Sequence, residues 1–155
     1  SMQNCGDIDL LGFKKPQMLY RDVVWRNSKI ELAVHAPIPD GKTEIVSYWG
    51  WPDEWPSWNW EGHEGKILDV RVFSRCQSVR LELNGNIIGE EISNDSNKLT
   101  FVFKVPYEPG VLKAIGLEMD IEVASKIIAT TGKAKKIRLT ADRNTIKADR
   151  MIFHM

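Results

Sequence analysis

The chain has 155 residues, of which 43% are hydrophobic and 27% charged, the composition of an ordinary globular domain with one hydrophobic core. Its 21 basic and 21 acidic side chains cancel, so no net field attracts nucleic acid or an anionic membrane surface. No run approaches the roughly 20 apolar residues that a membrane helix needs, and the N-terminus lacks the charged and then apolar layout of a secretory signal.

Near the N-terminus, residues 16–26 are predicted to form an amphipathic helix. Pro16 suits the first turn of a helix. Four apolar residues then recur at helical spacing on one face, namely Leu19, Tyr20, Val23 and Val24. A single helix of this kind needs a surface that covers its apolar stripe. Residues 29–35 follow with the composition of a strand, because apolar and other residues alternate along them.

Residues 48–60, which we call the aromatic segment, contain five of the six tryptophans of the chain. Tryptophan offers a large rigid contact area, and aromatic faces stack on the C–H faces of sugar rings. One interpretation is a carbohydrate-contacting loop, whose candidate sugar contacts are Trp49, Trp51, Trp55, Trp58 and Trp60. The alternative, which the sequence favours, is that these side chains plug a domain junction or cap the open end of a sandwich, because aromatic clusters more often pack than bind.

From Ile67 onward, short segments with period-two alternation are separated by Gly, Asn and Pro. Residues 79–83 end at Asn84-Gly85, a dipeptide typical of a tight hairpin turn. In addition to 29–35, the predicted strands are 67–73, 79–83, 87–92, 99–105, 111–117 and 121–130. About seven strands at this spacing predict an all-β fold, an immunoglobulin-like β-sandwich with a short N-terminal helical extension. Another strand is predicted to begin at 136–140.

Residues that could carry chemistry are few and scattered. Four carboxylates lie in or beside the aromatic segment, namely Asp53, Glu54, Glu61 and Glu64. Glycoside hydrolysis uses a pair of carboxylates, but a proline-rich loop supports such a pair poorly, so we expect solvated side chains or caps and no catalytic residue. The two cysteines, Cys5 and Cys76, and the three histidines are too dispersed for a zinc site, and neither a metal nor another cofactor is expected.

Five motifs occur in an order that resembles the β-galactosidases of glycoside hydrolase family 2. In chain order they are residues 6–16 with Tyr20 and Trp25, then 58–62, then 79–85 with Ile88-Gly89, then 107–114, and finally 129–132. The first is similar to the last turn and helix of the family's catalytic (β/α)₈ barrel, and the others to the immunoglobulin-like domain that follows the barrel. Residues 117–121 depart from the family pattern, which usually has a glycine-containing turn there.

The resemblance implies three regions. Residues 1–27 would be the remnant of the end of the catalytic barrel, residues 28–135 the immunoglobulin-like sandwich, and residues 136–155 the start of a following domain. The family's acid/base and nucleophile glutamates lie upstream on the barrel, so the resemblance assigns no catalytic residue to this chain. It implies a parent enzyme that hydrolyses terminal β-galactosides with retention. Residues 151–155 do not match the expected continuation.

Two functional hypotheses follow for the chain itself. The first is a non-catalytic accessory domain whose partners are the catalytic barrel and the next sandwich domain of the parent enzyme. The alternative is a carbohydrate-binding module that uses the aromatic segment. Neither nucleic acid nor membrane is an expected partner, whereas self-association is expected if the helix 16–26 and the strand 136–140 leave uncovered apolar surface. The compartment cannot be read from the sequence, and an extracytoplasmic parent is the expectation from the resemblance.

Overall fold

The structure is a computed structural model that describes residues 6–132, except 10, 47 and 49, together with residue 140. One helix and eight strands are found in this part of the chain. The elements are α1 (Pro16–Val24), β1 (Ile30–His35), β2 (Glu54–Trp55), β3 (Ile67–Ser74), β4 (Ser78–Leu83), β5 (Asn86–Ile92), β6 (Thr100–Pro106), β7 (Val111–Glu118) and β8 (Ile121–Ala129). Seven of these strands agree with the predicted ones, and only the two-residue β2 was not expected.

The strands form two antiparallel sheets of four, in the order β2-β1-β3-β6 and β5-β4-β7-β8. Strands 1, 3 and 6 opposite strands 4, 7 and 8 give the strand arrangement of an immunoglobulin-like sandwich. The prediction of an all-β sandwich with an N-terminal helix is confirmed. A short β2 beside β1 covers part of the edge of the first sheet, because it pairs only with Val34 and His35.

The core lies between the two sheets and follows from the alternation of the strands. In the first sheet Val70 and Val72 face inward, and in the second Leu81 and Leu112 do so, each fully buried. Burial of one such side chain contributes about 1.5–3 kcal/mol. The opposite face of the first sheet carries Glu31, Ala33 and His35 of β1 and the alternating residues of β3.

That outer face is where α1 packs. Leu19 and Val23, on one stripe of the helix, contact Ala33 and Phe73, and all four are buried. The helix ends at Val24, two residues earlier than predicted, because Arg26 takes a left-handed conformation with φ of 65°. The sandwich itself therefore covers the part of the apolar stripe that contains Leu19 and Val23.

Two hairpins have turns with two left-handed residues. Asn84 and Gly85 join β4 to β5 with φ of 52° and 81°, as the dipeptide predicts. Met119 and Asp120 join β7 to β8 with φ of 49° and 62°, so the same turn is made without glycine. The departure from the family pattern at residues 117–121 is therefore a change of turn residues within an ordinary two-residue hairpin.

Several expectations fall on residues that the structure does not describe. These are the strand predicted at 136–140, of which only residue 140 is described, the tail at 151–155, Cys5 and Trp49. Within the described residues, no helix is both long and apolar enough to span a membrane.

Candidate functional site

The aromatic segment divides into two parts with different surroundings. Its back half, residues 56–60, is anchored in the core of the sandwich by Trp58. Trp58 has no exposed surface; its indole N–H donates to the carbonyl oxygen of Glu108 at 2.9 Å, and its ring meets Tyr107 edge to face at a centroid distance of 5.1 Å. Trp60 is half-buried against the same core. Of the two interpretations of the aromatic segment, Trp58 fits the packing one and has no exposed face for a sugar ring.

Hydrogen bonds fasten the back half to the end of β8. The Thr130 hydroxyl donates to the carbonyl oxygen of Trp58 at 2.6 Å, and the Thr131 N–H donates to the side-chain oxygen of Asn59 at 2.7 Å. The hydroxyl of Tyr107, the residue that follows β6, accepts a hydrogen bond from the backbone N–H of Trp60 at 3.1 Å. Residues from three of the motifs on which the family resemblance depends thus meet at one place, where they pack and hydrogen-bond to each other.

The front half, residues 48–55, lies at the surface and reaches α1. Trp51 is 40% exposed, and its ring lies 6.0 Å from that of Tyr20, at an angle of 46°. Tyr20 in turn meets Phe73 of β3 edge to face at 5.6 Å. The helix and the front half are therefore joined by a row of three aromatic rings that rests on the outer face of the first sheet. Trp49 is outside the described residues.

Trp55 is the most exposed of the described tryptophans in the segment. It is 48% exposed, and its indole N–H donates to the Asp53 carboxylate at 2.7 Å, which fixes the ring. As part of β2 it lies opposite Val34 of β1. Trp51 and Trp55 are the two described tryptophans of the segment that retain substantial accessible surface for a partner.

The carboxylate of Glu44, which lies outside the aromatic segment, connects the front half to β1. Glu44 accepts the backbone N–H of Asp53 at 2.7 Å through one oxygen and contacts Nε2 of His35 at 2.8 Å through the other. Nδ1 of His35 contacts the carbonyl oxygen of Ala36 at 2.8 Å, and the Ala36 N–H donates to the carbonyl oxygen of Asp53 at 2.7 Å. The loop that carries Trp51 is thus tied to the last residue of β1.

These contacts shift two pKa values in opposite directions. The N–H of Asp53 and the neighbouring His35 lower the pKa of Glu44 below its usual 4.5, although partial burial works against them. Burial by itself would lower the pKa of His35, but the hydrogen bond and charge of Glu44, with the carbonyl of Ala36, outweigh it and raise the pKa above 6.5. Both shifts favour a charged pair.

The side chain next to Trp55 is a buried acid, not the solvated group that was predicted. Glu54 is 4% exposed and forms an ion pair with Arg71 of β3 at 3.1 Å. Burial raises the pKa of Glu54, and the charge of Arg71 opposes that rise. The second oxygen of Glu54 and Nε of Arg71 are buried with no hydrogen-bond partner among the described residues. This pair anchors β2 to the outer face of the first sheet.

Large apolar side chains are exposed on both sides of α1. Ile8, Leu11 and Phe13 precede the helix, and Trp25 follows it, with exposures between 53% and 81%. Exposed apolar residues at this density around one short helix are typical of a surface that contacts another protein or domain. These four residues, together with Trp51 and Trp55, are candidates for contact with a partner. We call the six residues the aromatic face, after its three tryptophans and one phenylalanine.

The side chains that could bind a metal are dispersed among the described residues. No three of their His, Cys, Asp and Glu side chains are grouped so that they could hold a metal ion. Of the remaining predicted carboxylates, Asp53 accepts the Trp55 indole N–H and Glu64 accepts the backbone N–H of Gly62 at 3.3 Å. The fold and the aromatic face together define the chain as an immunoglobulin-like sandwich domain with a surface suited to contact.

Comparisons with known proteins show which family model and which relatives the chain is similar to. A family model described as a domain of unknown function, DUF4982, matches residues 65–124, from the turn before β3 into β8. The β-galactosidase BoGH2A of Bacteroides ovatus is 37% identical over 95 residues, which are 61% of this chain and 11% of that protein. A β-glucuronidase of Formosa agariphila is 27% identical over 137 residues, 88% of this chain and 12% of that protein.

A solved structure agrees with the sequence relatives. A glycosyl hydrolase family 2 member from Bacteroides cellulosilyticus superposes with a TM-score of 0.79 at 37% identity, over 94% of this chain and 19% of that chain. The predicted resemblance to family 2 glycoside hydrolases is confirmed by these homologues and structural neighbours. The chain spans about a tenth to a fifth of their length, as expected of one domain of such an enzyme.

Proposed function

We propose that the chain is a non-catalytic accessory domain of a family 2 glycoside hydrolase. One observation carries the proposal: residues of three of the shared motifs contact one another. Trp58 packs against Tyr107 and its carbonyl oxygen accepts a hydrogen bond from Thr130, and Asn59 accepts one from Thr131, so these residues are engaged within the domain. Motif residues used in this way serve to hold a domain in shape and position.

The proposal includes a division of the chain. Residues 1–27 would belong to the end of the catalytic barrel, residues 28–135 to the sandwich, and residues 136–155 to the domain that follows. The aromatic face would then lie toward the barrel, because α1 and the front half are joined through Tyr20 and Trp51. The parent enzyme would hydrolyse terminal β-galactosides with retention, which is the activity named for one relative, whereas the other is named a β-glucuronidase.

The test compares the chain with the complete enzyme that its reading frame encodes. The purified chain should leave chromogenic β-galactosides and β-glucuronides uncleaved, and the complete enzyme should cleave the former. Replacing Trp51 by Ser in the complete enzyme should lower its Tm with little change in KM, because the aromatic face would support the barrel without touching substrate. Turnover by the chain alone that survives repeated purification would contradict the accessory role.

A second candidate function is direct sugar contact by the front half. Trp55 favours it, since its ring is about half exposed and held in place by Asp53, whose carboxylate is also a hydrogen-bond acceptor suited to sugar hydroxyls. Trp51 would complete such a platform. Titration with galactose, lactose and β-linked oligosaccharides should then shift tryptophan emission, and Trp55→Ala should abolish the shift. Trp25→Ala is the matched control, and no response at millimolar sugar would rule the candidate out.

A further inference from the structure

The contacts of His35 define its protonation state. Its Nδ1 lies 2.8 Å from the carbonyl oxygen of Ala36, and its Nε2 lies 2.8 Å from a carboxylate oxygen of Glu44. A carbonyl and a carboxylate can only accept hydrogen bonds, and a neutral imidazole can donate from only one of its nitrogens. Both contacts are hydrogen bonds only if a proton is shared between His35 and Glu44 in addition to the one on neutral imidazole.

The extra proton belongs on the imidazole. The other oxygen of Glu44 already accepts the N–H of Asp53 at 2.7 Å, and a carboxylate that accepts two hydrogen bonds is stabilised in its ionised form. An imidazolium between a carboxylate and a carbonyl is likewise stabilised, because both of its N–H groups are used. The contacts therefore favour a cationic His35 beside an ionised Glu44.

What this pair holds is the front half of the aromatic segment. Glu44 and Asp53 lie nine residues apart, on either side of the exposed turn that carries Trp51, and Asp53 immediately precedes β2. The N–H of Ala36 and the carbonyl of Asp53 add one backbone bond to the same attachment. Loss of the His35–Glu44 bond would leave that backbone bond, β2 and the Glu54–Arg71 ion pair among the described ties of the front half to the sheet.

We propose that His35 and Glu44 form a proton-dependent clamp, which holds the front half on the sandwich while His35 is charged and loosens it when His35 loses its proton. Deprotonation removes one of the two donors, so either the Glu44 or the Ala36 contact becomes a repulsion between two acceptors. The indole ring of Trp51 would then lose its fixed position against Tyr20.

Other charged groups surround the clamp on every element that packs near it. The acids that face it, besides Glu44, are Asp53 of the loop, Glu54 of β2 and Asp69 of β3. The bases are Arg71 of β3, Lys104 of β6, and Lys42 and Lys66 of the adjoining loops. Three of these bases are engaged by other carboxylates, since Arg71 pairs with Glu54, Lys104 with Asp69, and Lys66 with Asp40.

The direction of the pH response follows from the pKa shifts. The pKa of His35 is raised above 6.5, so its contribution is fully present below 6.5 and is lost as the pH rises through the raised value. The pKa of Glu44 is lowered below 4.5, so its contribution is present above 4.5 and is lost as the pH falls through the lowered value. The clamp is therefore tightest between these limits and opens toward alkaline pH.

The test follows protonation and loop position in the same sample of this chain. Imidazole resonances, assigned with His35→Gln, are titrated from pH 5 to 9, while ¹⁹F resonances of fluorotryptophan report on each indole. His35 should titrate above 6.5, and the Trp51 and Trp55 resonances should move with the same midpoint. The Trp58 resonance, buried in the core, should stay unchanged over this range.

A charge variant and a matched histidine variant complete the test. Glu44→Gln removes the anion but keeps an acceptor for the Asp53 N–H, so the midpoint of the tryptophan response should fall by about one pH unit. His63→Gln, at the other described histidine, should leave the response unaltered. Tryptophan resonances that do not change between pH 5 and 9, or a midpoint that Glu44→Gln leaves in place, would overturn the proposal.

Discussion

Both halves of the aromatic segment contain more than one tryptophan, but different kinds of interaction hold the two halves on the sandwich. The back half is neutral and is anchored by a buried residue: Trp58 has no exposed surface, its indole N–H donates to the carbonyl of Glu108, and its own carbonyl accepts from the Thr130 hydroxyl. The front half lies at the surface and is held by charges, through His35 with Glu44 and Arg71 with Glu54. Tryptophans that cluster in a sequence therefore need not share one environment. Here Trp55 lies at the surface, whereas Trp58, three residues later, lies in the core.

This difference has consequences for how each half responds to its surroundings. Packing and neutral hydrogen bonds in the back half change little with pH or salt, because no ionised group takes part. Ion pairs in the front half depend on protonation, and the exposed ones also on ionic strength. The back half is thus suited to a fixed structural role, and the front half to a contact that can be adjusted.

The largest expected effect on stability is that of removing the Trp58 side chain, which we compare with removal of the Trp55 side chain in the front half. Trp58→Ala should lower the free energy of unfolding by about 3–5 kcal/mol, because it leaves a cavity and an unpaired carbonyl at Glu108. Trp55→Ala should cost less than about 1 kcal/mol, as its ring is half exposed. Urea unfolding of both variants measures the difference, with Trp58→Phe as the milder substitution if Trp58→Ala does not fold. Equal losses would show that the two halves are not distinct.

The next largest effect on stability is expected from adding a side chain at Gly110, which lies close to the back half. A Cβ there would lie 1.8 Å from the side-chain oxygen of Asn84, and its φ of 149° disfavours other residues. Asn84 would have to give up the hydrogen bond that it accepts from the Val111 N–H at 2.8 Å. Gly110→Ala should therefore cost about 2 kcal/mol in urea unfolding.

The matched control for that substitution is Gly132→Ala. Among the described residues, no heavy atom lies within 4 Å of a Cβ built at Gly132, so this variant should unfold within about 0.5 kcal/mol of the parent chain. A similar loss in both variants would show that the crowding between Gly110 and Asn84 is not what makes position 110 sensitive.

A smaller and pH-dependent effect is expected in the front half. The pKa of Glu54 is raised by burial, so its contribution to stability is fully present below 4.5 and lost as the pH rises through its raised value. Arg71→Met removes the opposing cation and should enlarge that loss. We expect the variant to be about 1–2 kcal/mol less stable than the parent chain at pH 7 and close to it at pH 4.

The double variant separates the charge from the packing of Arg71. Glu54→Gln with Arg71→Met removes both charges, so most of the pH dependence of Arg71→Met should disappear. The measurement is urea unfolding at pH 4 and pH 7 on all three proteins. If Arg71→Met were equally destabilised at both pH values, the ion pair would not be what anchors β2.

The smallest effect should come from the turn between β7 and β8, remote from both halves. Met119 has a φ of 49°, which costs a residue with a long side chain about 1 kcal/mol and asparagine less. Met119→Asn should therefore raise the free energy of unfolding by about 0.5 kcal/mol, seen as a higher Tm in calorimetry. This gain should not depend on pH, in contrast to substitutions in the front half.

Local chemistry along the chain accounts for most of the fold. Alternation in residues such as 79–83 predicts strands because side chains on a strand point to opposite faces, and Asn84-Gly85 predicts its turn because both residues tolerate positive φ. Pro16 and the apolar spacing that follows predict the helix. Each of these signals depends on neighbours a few residues apart, so it can be recognised in the sequence without the tertiary structure.

The site depended on contacts between distant parts of the chain. Nothing local distinguishes Trp58 from Trp55, but Tyr107 and Thr130 surround the first and solvent the second. Likewise Glu44 and His35 are unremarkable in sequence and acquire their charged pairing only where the loop returns to β1. Burial, hydrogen-bond partners and pKa shifts arise from the atoms that folding brings around a residue, and for this chain they separate the two halves of the aromatic segment.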